Sequence, residues 1–198
     1  MEDPPHLHRK QLHRIEQTHD LRFLTFSTYD RLPLFLNDRI RDLFATHLEA
    51  ARVAFSFNLY AWVVMPEHIH LLLWPLLPEH PVSALLSQLK RGFARQVVER
   101  WREIRASVLP RLTMPDGSIR FWQRGGGYDR NIFSSEETSE KLNYIHQNPV
   151  TRGLVTRPQD WVWSSARWYA GDRAGPVQID SLPPKRPLLR TPPQPDAT

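Results

Sequence analysis

Met65-Pro66-Glu67-His68-Ile69-His70-Leu71-Leu72-Leu73-Trp74 is the stretch that decides how this chain is read. Pro66 with Glu67 makes a tight turn, and the apolar run after it reads as a β-strand. Successive strand side chains point to opposite faces, so His68 and His70 share one face while Ile69 takes the other. Residues 55–65, just upstream, form a second β-rich run. The two runs are expected to pair as an antiparallel hairpin. Both are apolar on both faces, which predicts a sheet covered on each side.

Working outward, Phe23, Thr25 and Ser27 alternate with Leu24, Phe26 and Thr28, giving a first strand from Leu21. Asn37 can cap a helix to about residue 52, with Ile40, Leu43, Phe44, His47 and Leu48 at helical spacing. After the hairpin, Val82, Leu85, Leu86, Leu89, Phe93, Val97 and Ile104 predict a long helix over 82–107. Arg91, Arg95, Arg102 and Arg105 gather on its opposite side, either as a solvated face or as a basic rail for a phosphate backbone. Residues 113–118 read as a loop, 119–123 as a short strand and Gly125 to Gly127 as a flexible break. Ser134 or Ser135 caps a last helix, with Glu137 completing a capping box. That helix is expected to stop near Asn148, because Pro149 disfavours helical geometry in the residue before it. The order strand, helix, strand, strand, helix, strand is the ferredoxin-like split βαβ arrangement. The predicted class is α+β, an antiparallel sheet with helices packed on it.

At 198 residues with 40% hydrophobic content, the chain suits one domain with a real core. No apolar run reaches membrane-spanning length, and no apolar stretch follows the N-terminal charges as a secretory signal would require. Cysteine is absent, which excludes thiolate metal sites and cysteine nucleophiles and fits the cytoplasm. A net charge of +5 and a pI near 9.9 point to an anionic partner, nucleic acid first. Residues 1–20 read as a flexible arm, 21–172 as the folded domain and 173–198 as a Pro-rich, disordered tail. His6-Leu7-His8 lies in the arm beside Pro4 and Pro5, with nothing to hold its rings, and is set aside.

Two neutral imidazoles side by side on a strand form a partial metal site that needs one more ligand. The last helix carries Lys141-Leu142-Asn143-Tyr144-Ile145-His146-Gln147-Asn148-Pro149. Tyr144 and Asn148, four apart, lie one turn from each other on one face, while Leu142 and Ile145 can anchor the helix. The Asn148 amide oxygen could complete the site, and Tyr144 would set a phenol beside the ion. Taken singly, such a tyrosine commonly packs and such an asparagine commonly ends a helix. His146 points away from that face and is left out. Glu67 is expected to point off the histidine face, so a metal hydrolase, which needs an acid or base there, ranks low.

Trp62-Val63-Val64-Met65-Pro66-Glu67-His68-Ile69-His70 resembles the His-hydrophobic-His motif of IS200-like transposases, most closely their REP-associated tyrosine transposase branch. Tyr144-Ile145-His146-Gln147-Asn148-Pro149-Val150-Thr151-Arg152-Gly153-Leu154-Val155 is similar to that branch's tyrosine signature. Looser likenesses are Ser87-Gln88-Leu89-Lys90-Arg91, Trp122-Gln123-Arg124, Tyr128-Asp129-Arg130 and Trp161-Val162-Trp163-Ser164-Ser165. The resemblance implies a ferredoxin-like fold, His68 and His70 as metal ligands, Asn148 as third ligand and Tyr144 as nucleophile. It implies magnesium or manganese as the ion, although ligand softness alone ranks manganese or zinc above magnesium.

The implied substrate is single-stranded DNA beside a hairpin, cleaved and rejoined through a 5′-phosphotyrosine bond by a monomer or homodimer. Lys90, Arg91, Arg95, Arg120, Arg124 and Arg130 are candidate DNA contacts. Trp101, Trp122, Trp161, Trp163 and Trp168 are candidates for base stacking, against the general rule that tryptophans in a small domain pack. The triple glycine is looser than the family's usual linker. The alternative is a domesticated relative that binds hairpins without chemistry.

Overall fold

The structure, a computed structural model, describes residues 20–125 and 127–182. The His6-Leu7-His8 motif, most of the expected arm and the last part of the expected tail lie outside the described residues. Four strands, β1 (Leu21–Ser27), β2 (Phe57–Val64), β3 (His68–Pro75) and β4 (Tyr128–Ile132), form one sheet in the order β2-β3-β1-β4. Every pairing is antiparallel. The helices are α1 (Asp38–Phe55), α2 (Val82–Glu103), α3 (Leu109–Leu112), α4 (Ser135–Thr151) and α5 (Ala166–Tyr169). None of the described helices is long and apolar enough to cross a membrane.

The sheet is covered on both faces, as its two-sided hydrophobicity requires. On one face Phe26, Ile69 and Leu71 join Phe44 of α1, Phe93 of α2 and Phe35 in a closely packed ring cluster. On the other, Phe23, Val63 and Leu72 meet Ile145 of α4 and Trp161. The pleat therefore sends His68 and His70 to the α4 side, the face opposite Ile69. The free edge of β2 is closed by the returning chain: Val64 N–H donates to Trp163 O (2.9 Å) and Ser165 N–H to Trp62 O (3.0 Å). Such cover protects an edge strand from pairing with another chain.

The histidine hairpin pairs as expected, with Val63 opposite His70 and Val64 opposite Ile69. Asn37 caps α1 by accepting from Arg39 N–H (2.9 Å). Elsewhere the expectations need correction. Residues 119–123 make only isolated bridges, Thr113 to Ile119 and Thr28 to Trp122, and the fourth strand is Tyr128–Ile132. It is an edge strand bearing mostly polar side chains, so it lacks the apolar alternation that marks a strand. A buried ion pair, Arg22 to Asp129 at 3.1 Å, fastens it to β1.

Helix α2 stops at Glu103, four residues early, and leaves Ile104 exposed. Ala106 N–H donates to Trp101 O and Arg105 N–H to Arg102 O, a Schellman closure with Arg105 at φ 50. No glycine announces it. Helix α4, conversely, runs through Pro149, which sits within one turn of the end and removes one backbone donor. A second Schellman closure ends it, with Gly153 at φ 67 and Leu154 N–H on Pro149 O. Within the segment expected to be a disordered tail, Val177 and Ile179 are buried. Asp180 N–H donates to Leu59 O (2.9 Å) and the Asp180 carboxylate accepts from Leu59 N–H (2.8 Å), so packing continues past residue 172.

Gly127 is a close-packed position rather than a loose break. Its φ is +72, and an added Cβ would lie 2.0 Å from the backbone oxygen of Thr25 on β1. Gly127→Ala is therefore expected to destabilise the protein by about 2 kcal/mol or more, through left-handed strain and overpacking. That corresponds to a melting temperature lower by roughly 4–8 °C. Gly175→Ala, whose Cβ would meet only an ordinary contact at 3.8 Å, serves as the control. Equal melting of the two variants in a thermal scan would remove the close approach from the account.

Candidate metal and nucleophile site

The site lies where β3 passes beneath α4. His68 and His70 are nearly inaccessible, and their ring centroids stand 4.7 Å apart. Each has its Nδ1 engaged from behind. His70 Nδ1 meets Thr25 Oγ1 at 2.7 Å, across the β1–β3 register, and His68 Nδ1 meets Glu67 Oε1 at 3.1 Å. A ring whose Nδ1–H is spent on an oxygen presents a lone pair at Nε2, the arrangement metal-binding histidines use. The ring of Phe23 stacks on His70 at 5.5 Å and fixes its plane.

From α4, the Asn148 amide nitrogen reaches His70 Nε2 at 3.3 Å. The Tyr144 ring stands edge to His70 at 5.2 Å and to Phe23 at 5.9 Å, and 49% of the residue remains exposed. Ile145, fully buried between them in sequence, pins the helix to the sheet, with Leu142 partly buried beside it. His146 faces elsewhere: its Nε2 meets Ser165 Oγ at 2.8 Å, and burial lowers its pKa to about 4.

Glu67 corrects the sequence reading. Rather than pointing away, it is buried against His68, and its Oε1 also accepts from Arg152 Nη2 at 3.0 Å. Arg152 is the C-cap of α4, two turns beyond Tyr144, a position that exists because the helix passes Pro149. Sequence reasoning missed Thr25 and Arg152 as well. The strand register opposite His70 points to Thr25 once β1 and β3 are paired.

Electrostatics keep both imidazoles neutral. Burial first, then the neighbouring His68 and Arg31, lower His70 to about 3. Burial also lowers His68, outweighing the opposite pull of Glu67. Neutral imidazole is the form that coordinates a cation. The donor set fits a divalent ion: two Nε2 lone pairs and the Asn148 amide oxygen, which turning the amide over would bring to the place its nitrogen holds beside His70 Nε2. No cluster of three His, Cys, Asp or Glu exists among the described residues, and Glu67 is committed to His68 and Arg152. Three neutral donors would leave coordination positions open on such an ion.

The expected DNA contacts divide. Lys90, Arg91 and Arg95 belong to α2, which covers the sheet face opposite the histidines. The Lys90 Nζ lies over the rings of Phe26 (5.5 Å) and Trp122 (5.6 Å), while Arg91 and Arg95 are exposed. Arg120 and Arg124 lie on the segment bonded to the end of β1 through Gln123 N–H and Ser27 O (2.9 Å). Arg120 sits 5.3 Å over the Tyr29 ring. Arg130, on β4, pairs with Glu137 in the first turns of α4. The tryptophans are built into the fold: Trp161 donates to Val64 O, Trp122 to Lys90 O and Trp163 to Asp42. Trp101 stacks on Phe121, and Trp168 packs edge-on to Tyr169 with Arg173 over its ring.

Residues 23–148 match the family described as Transposase IS200 like. A Haemophilus influenzae protein, provisionally assigned as a REP-associated tyrosine transposase, is 29% identical over 147 residues, spanning 73% of this chain and 78% of its own length. A REP-associated tyrosine transposase of Escherichia coli K12 is 31% identical over 114 residues, spanning 55% of this chain and 54% of its own. The solved structure of a REP-associated tyrosine transposase bound to a REP hairpin shares the fold. It has a TM-score of 0.63 at 18% identity, spanning 91% of this chain and 97% of that one.

Proposed function

We propose, on the premise that this chain belongs to the IS200-like transposase family, that it cleaves and rejoins single-stranded DNA beside hairpins through Tyr144. The observation that carries this reading is the meeting of α4 and β3: an exposed phenol and an amide, one helical turn apart, both against the paired imidazoles. The hairpin in the related solved structure supports a hairpin-flanked substrate here.

His68, His70 and Asn148 would hold magnesium or manganese, which supplies charge neutralisation at a phosphate oxygen. Thr25 and Glu67 keep the two rings in the tautomer that faces the site. Tyr144 Oη attacks the phosphorus and releases its proton to solvent through its exposed side. The P–O3′ bond breaks and the departing 3′-oxygen takes up a proton. The resulting 5′-phosphotyrosine bond conserves the phosphodiester, so a second 3′-hydroxyl can reverse the step without a nucleotide cofactor. Arg120, Arg124 and Arg130 are best placed to hold the strand near this centre. Lys90, Arg91 and Arg95 would serve a segment reaching the far layer of the sheet.

The test is incubation with a labelled hairpin-bearing oligonucleotide and Mn²⁺, followed by denaturing electrophoresis. The expected result is a covalent protein–DNA band that vanishes with chelator and maps to the peptide containing Tyr144. Tight hairpin binding with no adduct under any divalent ion would favour the non-catalytic relative instead.

A further inference from the structure

We propose that Arg31 grips the phosphodiester of the DNA strand at the histidine–tyrosine site, as a phosphate-binding residue fixed there by a strained turn. The inference rests on the reading above and deepens it. Arg31 ends a short 3₁₀ turn, Tyr29–Arg31, just beyond β1, whose last residue Ser27 pairs with His68. Asp30 and Arg31 both have φ 50, the left-handed region that side-chain-bearing residues rarely adopt. Two such residues in succession persist only where the surroundings impose them, and such strain gathers at binding sites.

The surroundings do impose it. Thr28 N–H donates to Glu67 O (3.0 Å), tying the turn to the residue before His68, while its Oγ–H donates to Leu32 O (2.6 Å) and closes the turn on itself. On the other side Tyr29 N–H donates to Phe121 O (2.8 Å) and Asp30 N–H to Gln123 Oε1 (3.2 Å). Arg31 is thereby clamped between the histidine hairpin and the segment bearing Arg120 and Arg124. Its guanidinium makes no hydrogen bond or ion pair among the described residues, and it is exposed.

An exposed arginine is ordinarily a solvated surface charge. Arg31 differs in standing on rigid, strained backbone beside neutral rings, and the nearby carboxylate of Glu67 is already shared between His68 and Arg152. The chemistry left for a planar guanidinium without a partner among the described residues is an anion with paired oxygens, which a phosphodiester supplies.

The experiment measures binding without chemistry, by fluorescence anisotropy of a single-stranded oligonucleotide with Tyr144→Phe protein and Mn²⁺ across a salt series. Arg31→Gln is expected to weaken binding about tenfold and to flatten the log–log salt dependence by about 0.7, the value of one single-strand phosphate contact. Arg39→Gln, an exposed arginine on α1, is expected to leave the slope unchanged. Replacing one phosphate near the cleavage point with a neutral methylphosphonate should weaken binding by the Arg31 protein and not by Arg31→Gln. Equal slopes, or equal methylphosphonate losses at every position, overturn the assignment. Because no bond is broken in this assay, its outcome is independent of whether wild-type protein forms the covalent adduct.

Discussion

Tyr144→Phe is expected to abolish the covalent protein–DNA adduct, slowing it by at least about 10⁴-fold, while hairpin affinity and melting temperature stay near wild type. Removal of a covalent nucleophile leaves only positioning and electrostatic effects, which cannot form the bond. Phenylalanine retains the ring that stands against His70 and Phe23, so the packing of α4 is preserved. Half of Tyr144 is already exposed, and the lost hydroxyl makes no hydrogen bond among the described residues. A second exposed phenol lies nearby: Tyr128 on β4, edge-on to the same Phe23 ring at 5.9 Å. Peptide mapping of any residual adduct separates the two. Adduct formation at the wild-type rate in the variant would end the tyrosine assignment.

The next largest effect belongs to Glu67→Gln, expected to weaken Mn²⁺ binding by about 10- to 100-fold, the usual consequence of removing a carboxylate behind a ligating histidine. The carboxylate does two things at once. It accepts from His68 Nδ1, raising the basicity of Nε2, and it balances the charge of Arg152 one turn beyond Asn148. Glutamine preserves the shape and removes the charge, so it also deprives Arg152 of its ion pair at the place where the cation would bind. Calorimetric titration with Mn²⁺ reads this directly, with His68→Ala as the full-loss reference. Binding equal to wild type would reduce Glu67 to a packing residue.

The parts of this site that could be read from the sequence are those encoded by short periodicities. Alternation over two residues places His68 and His70 together, and helical spacing places Tyr144 above Asn148, whatever the rest of the chain does. The groups behind them were not legible in the same way. Thr25 reaches His70 only through the β1–β3 register, and Glu67 meets not only His68 but also Arg152, which is distant in the chain. Strand β4 went unrecognised because an edge strand need not bury both faces, so Tyr128, Asp129 and Arg130 carry no apolar rhythm. The two helix ends erred in opposite directions for one reason. The closure, not the proline, ends each helix, and Arg105 occupies a position that glycine usually marks.

The passage of α4 through Pro149 has a mechanical consequence. Phenol, amide and guanidinium ride a single ridge, at Tyr144, Asn148 and Arg152, and the buried Ile145 keys that ridge into the sheet. Any shift of the rod would therefore move Tyr144 and Asn148 against His70, and Arg152 against Glu67, together. If Tyr144 is the nucleophile, the competence of the centre would depend on how that one element is seated.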